Sequence, residues 1–154
     1  MTFAKAVVAP EPRNDLVKKG AWVYAALLVL LAIGQLYAFE KFIPLIQAYG
    51  LPGGQGATTV FAAVIVVAEV FALPFLLRMP LSPLMRLMSA FFGVLVPAIW
   101  LVLSLIALIN GGIENGGILG AKVTVGATTQ AIIALVLTAL AGWSLWGLSL
   151  RKKI

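Results

Sequence analysis

The chain has 154 residues, of which 62% are hydrophobic and 10% charged, with a net charge of +6 and a mean hydropathy of +1.10. A soluble domain carries nearer a quarter charged residues, so this is the composition of an integral membrane protein, too short for two domains or a hidden soluble catalytic module. Cysteine and histidine are both absent. Their absence excludes thiolate and disulfide chemistry, cysteine zinc and iron–sulfur sites, the usual haem ligand and the usual proton shuttle.

Residues 1–19 carry Pro10, Pro12 and charges of alternating sign. Without an apolar stripe to fold on, they are expected to form a mobile or interfacial arm. The remainder, 20–150, reads as one domain of four spans near 21–39, 58–77, 87–109 and 127–150, followed by a basic tail at 151–154. About 20 apolar residues cross the roughly 30 Å hydrocarbon core as a helix, because only internally paired backbone survives there. The fold class that follows is all-α, a four-helix antiparallel transmembrane bundle.

Span one follows basic residues near the N-terminus, as a signal peptide would. Its apolar run is longer than a signal core, Glu11 and Asp15 precede it, and Gln35-Leu36-Tyr37-Ala38 makes a poor cleavage site. It is therefore expected to stay in the protein. After it, Glu40 to Tyr49 suggests a short helix at the outer interface, with Pro44 in its first turn and Gly50 and Pro52 ending it. Gly53-Gly54-Gln55-Gly56 is turn chemistry leading into span two, where Thr58 or Thr59 can cap the helix start.

Pro74 in span two and Pro97 in span three each delete a backbone donor and are expected to bend their helices. Small residues recur every fourth position at Gly34 and Ala38, Ala68 and Ala72, Ser89, Gly93 and Pro97, and Ala134, Thr138 and Gly142. Such stripes let membrane helices approach closely, and one of them can also serve a homo-oligomer. Between spans three and four, Asn110-Gly111-Gly112-Ile113 is nearly repeated as Asn115-Gly116-Gly117-Ile118, and Ala121 to Val125 suggests a short surface strand. No βαβ context surrounds these glycines, so a phosphate-binding reading is weak.

Basic residues sit at span ends. Lys5, Arg13, Lys18, Lys19, Arg78, Arg86, Arg151, Lys152 and Lys153 fall on one side, against Lys41 and Lys122 on the other. The positive-inside rule then places both termini in the cytoplasm of a cell (inner) membrane protein, and the charge reads as a topology signal with no nucleic-acid partner. Trp22, Tyr24, Trp143 and Trp146 on the inner side, with Tyr37 and Tyr49 on the outer, are expected as aromatic belts.

Glu69 is an acid inside span two, and an ionisable group kept at membrane depth is a functional-site hypothesis by default. At 1.5 Å per residue it lies about 13 Å from Arg78. Counted the same way from Arg151, Trp143 lies at about 12 Å and Thr138 at about 20 Å, which makes them the expected donors; Lys41, at about 33 Å, pairs with it only through a staggered bundle or a water chain. Glu69 is expected to face inward under each of three open readings: a structural carboxyl, a ligand or quinone contact, or a proton relay. A carboxylic acid there can also donate to a carbonyl freed by Pro74 or Pro97.

Phe39-Glu40-Lys41-Phe42, Ala48-Tyr49-Gly50-Leu51-Pro52, and Glu69 followed by a short basic link together resemble the DoxX-like four-helix membrane family, especially its MauE-type branch. The resemblance runs through most of the chain and implies a four-helix bundle in which Lys41 and Glu69 match the family's basic and acidic positions. Members look like quinone-linked oxidoreductase subunits or maturation factors for periplasmic redox enzymes. The cysteine pair of the redox-active branch is replaced here by Asn115-Gly116-Gly117-Ile118-Leu119-Gly120, so thiol chemistry does not carry over.

The expectation is a non-catalytic accessory subunit or assembly factor with no intrinsic cofactor or metal, which binds a quinone-like or lipid-like molecule or a larger membrane or redox-enzyme partner. The alternatives are an oxidoreductase subunit in which Glu69 and Lys41 handle protons, and a small transporter or proton pathway.

Overall fold

A computed structural model describes residues 4–149. Leu150 and the basic tail with Arg151, Lys152 and Lys153 lie outside the described residues. The chain is all-helical: α1 (Asp15–Tyr37), α2 (Phe39–Gln47), α3 (Gly54–Leu76), α4 (Pro83–Asn110) and α5 (Ala127–Leu148). Helices α1, α3, α4 and α5 are each long and apolar enough to cross a membrane, and this is a multi-pass membrane protein. They pack as an antiparallel four-helix bundle in which α1 and α4 each contact both α3 and α5.

Local chemistry explains the boundaries. Asn14 accepts from Val17 N at 2.8 Å and starts α1 before the apolar run, while Ser82 caps α4 with Pro83 in its first turn. Helix α3 begins earlier than its threonines suggest. Gly53 takes the cap with φ 109°, and Thr58 and Thr59 bond back to Gly54 O and Gln55 O inside the helix. Helix α2 also begins earlier, at Phe39, so Pro44 lies inside it and not in its first turn.

The two mid-helix prolines are accommodated by side chains from neighbouring helices. Pro97 leaves Gly93 O without its usual donor, and the Tyr24 hydroxyl supplies one at 2.5 Å. Near Pro74, the Ser89 hydroxyl is inserted into the α3 ladder, donating to Phe71 O at 2.6 Å and accepting from Phe75 N at 3.0 Å. Tyr24 is thus fully buried as a tie between α1 and α4 and is not a belt residue. Trp22, Trp146 and Tyr37 do face outward.

Burial also revises the small-residue stripes. Ala68, Ala72, Ser89, Gly93 and Pro97 lie on buried faces, with Gly93 set against Ala72. On α5 the buried face runs through Gln130, Ala134, Leu137, Ala141 and Ser144, leaving Thr138 and Gly142 exposed. A four-residue step advances about 40° past a full turn, so the stripe beginning at Ala134 rotates out of the interface. Gly34 meets the backbone of Leu119 in the α4–α5 connection, where a helix neighbour was expected.

That connection, residues 111–126, forms no strand. It folds into the bundle and buries Ile118 and Val125, with Gly116 N donating to Val125 O at 2.8 Å and Asn115 Oδ1 accepting from Gly117 N and Val125 N. At the opposite end the N-terminal arm is docked. Val7 forms an antiparallel bridge with Leu81, Arg78 and Arg86 donate to Pro10 O and Val7 O, and Arg13 packs over Trp146.

Candidate functional site

Glu69 is fully buried on α3, about 10 Å from the helix end at Leu76. Its Oε1 accepts from Gln35 Nε2 at 3.0 Å and from Trp100 Nε1 at 3.3 Å. Gln35 Nε2 also donates to Ile118 O at 3.1 Å, so one amide joins α1, α3 and the α4–α5 connection. Glu69 Oε2 and Gln35 Oε1 are buried without a hydrogen-bond partner. With Glu69 ionised, both of these oxygens are acceptors; a proton on Oε2 makes them one donor and one acceptor.

Apolar packing closes the cluster toward the α2 end. Phe42 and Ile46 on α2 are fully buried, and the Phe42 ring lies 6.4 Å from that of Trp100. Helix α2 therefore packs one apolar face onto the end of the bundle. Beyond it, Tyr49 OH donates to Gly116 O at 2.7 Å and accepts from Gln130 Nε2 at 2.9 Å. Burial pushes the Tyr49 phenol above its ordinary pKa, partly offset by its bond to Gln130, and the neutral hydroxyl pins the glycine-rich connection. Tyr49 is thus a buried tie and not a belt residue.

The sequence-derived partners lie elsewhere. Lys41 is exposed on α2; Thr138 bonds its own helix at Ala134 O; Trp143 is 40% exposed and packs against Gly20. Counting levels from basic residues failed because α1 and α3 are staggered. Gln35 sits about 30 Å along α1 from Asp15, yet reaches Glu69 only about 10 Å from the end of α3. The carbonyl freed by Pro97 is taken by Tyr24, and Glu69 Oε2 has no partner, so Glu69 donates to neither proline region. Gln35 and Trp100 escaped the sequence reading, although a polar amide and an indole N–H inside apolar spans were the available signals.

A second region lies at the basic end. The arm and helices α3, α4 and α5 enclose an apolar cleft of about 390 Å³ lined by Val8, Pro10, Phe75, Leu87, Ala90 and Leu148, with Arg86 also in its lining. Among the described residues no group of acidic side chains could hold a metal ion. No family model matches the chain, and no curated protein or solved structure matches it either.

Proposed function

We propose that the protein is a non-catalytic accessory subunit or assembly factor of a cell membrane complex, and that it holds a lipid-like or quinone-like molecule in the cleft beneath its N-terminal arm. The carrying observation is that cleft: its apolar lining and its volume suit a chain-bearing amphiphile, and Arg86 supplies one polar contact. The motif order resembling DoxX-like proteins supports the same reading. So does the side-chain inventory, which lacks the thiols and imidazoles of independent redox or hydrolytic work. The excess of Lys and Arg at the arm end supports a cytoplasmic placement of both termini.

In this reading Glu69 is a structural carboxyl that orients α1, α3 and α4. A proton route from Lys41 to Glu69 draws no support from their placement, since one is exposed and the other fully buried. The test is gentle extraction from native membrane followed by mass spectrometry of the proteins and small molecules that accompany the chain. A stoichiometric amphiphile lost on Ala90→Trp is expected; a solitary chain with no bound molecule contradicts the proposal.

A further inference from the structure

The α3 C-terminus closes with Arg78 N donating to Phe75 O and Met79 N to Pro74 O, the paired bonds of a Schellman cap. The residue between them must be left-handed, a conformation that glycine adopts without steric cost and other residues adopt only with strain of about 1 kcal/mol. Here that residue is Arg78, at φ 57°. A topology signal alone would be served equally by arginine at the neighbouring Met79 or Pro80, without the strain.

The conformation aims the guanidinium under the arm, where Nη2 donates to Pro10 O at 3.1 Å and Nε is buried without a partner. The residue also lines a cleft of about 340 Å³ with Lys18, Trp22, Leu77, Val8, Ala9 and Pro80. An adjoining cleft, lined by Asp15, Lys18, Lys19, Trp22 and Val23, extends along the outer face of α1, its two lysines outnumbering the one acid. Two cations, an exposed indole and apolar walls therefore meet in one cleft at the basic end. A guanidinium and an ammonium on the wall of one cleft suit a phosphate group, whose oxygens take charge-assisted bonds from both.

We propose that this cleft binds the phosphodiester of an anionic phospholipid, with Arg78 and Lys18 on the phosphate and an acyl chain along Trp22, Val23 and Leu77. The phosphodiester chemistry is shared with free phosphate. The lipid is the source because Trp22 is 56% exposed on a spanning helix, where an amphipathic ring sits at headgroup level. The site meets the amphiphile cleft under the arm at Val8, but of the two its cations and indole line only this one, and the proposal does not depend on the other.

Native mass spectrometry of the full chain, equilibrated with equal amounts of phosphatidylglycerol and phosphatidylcholine, tests this. Wild type is expected to retain phosphatidylglycerol about tenfold over phosphatidylcholine. Arg78→Gln brings that ratio close to one, and Arg78→Lys, which keeps the charge but loses the planar guanidinium fork, leaves it intermediate. Lys18→Gln, on an exposed helix face, lowers it severalfold and serves if the Arg78 variants do not fold. Lys5→Gln, outside the cleft, leaves it unchanged. Millimolar inorganic phosphate does not displace the lipid. Equal retention of the two lipids by wild type, an unchanged ratio in both Arg78→Gln and Lys18→Gln, or displacement by phosphate overturns the proposal.

Discussion

The bundle centre and its basic end solve opposite problems. In the centre, polar atoms from distant parts of the chain are drawn together: Gln35 joins Glu69 to Ile118 O, Trp100 adds a second donor, Tyr24 serves the carbonyl freed by Pro97, and Ser89 is inserted beside Pro74. Where water cannot compete, each of these bonds prevents a costly unpaired group, so the centre should be rigid and intolerant of change. At the basic end, clefts open around the arm and Arg78 Nε remains unbonded. Glu69 Oε2 and Gln35 Oε1 are also unpaired but belong to fully buried residues of the centre, whereas Arg78 borders an open cleft, and it is there that a binding surface is expected. Stability and recognition are thus divided between the two regions.

The division can be broken most severely at Gly120, where φ is +79° and an added Cβ would collide with the Gly34 carbonyl and Gln35 N. Neither neighbour is a flexible side-chain tip. Gly120→Ala should cost about 2–4 kcal/mol, seen as a lowered unfolding midpoint in detergent. Gln35→Leu strips a donor from both Glu69 and Ile118 O and should cost about 2–3 kcal/mol in the same assay. Tyr24→Phe keeps the ring but leaves Gly93 O unserved, for about 1–2 kcal/mol. The smallest effect is expected at the arm, where Val7→Pro removes the bond to Leu81 O. Global stability should shift by less than about 0.5 kcal/mol, while hydrogen exchange of the arm accelerates. An arm variant as damaging as Gln35→Leu would erase the distinction between the regions.

Much of the fold was legible because lipid imposes so few solutions. Apolar run length gave four spans, and the expectation of a four-helix bundle holds, with helix ends shifted where caps lay outside the apolar runs: Asn14 begins α1 and Gly53 begins α3 well before hydropathy rises. The inward aspect of Glu69 was legible from cost alone. Its partners were not, because depth counted along one helix carries no information about stagger between helices, and because Ile118 comes from a connection that turns back into the bundle. Composition likewise assigned Tyr24 and Tyr49 to membrane belts, since a phenol suits an interface and a buried carbonyl equally well. Which one it serves depends on a carbonyl exposed by a proline or a glycine-rich turn elsewhere in the chain.

The most direct test of the central claim, that Glu69 is held inside the bundle by Gln35, is a double-mutant cycle with Gln35→Leu, Glu69→Leu and the double variant, measured by reversible unfolding in detergent. The account predicts that Glu69→Leu is less damaging in the Gln35→Leu background than in wild type, with a coupling energy of at least about 1 kcal/mol. Additive costs, agreeing within about 0.3–0.5 kcal/mol, would contradict it.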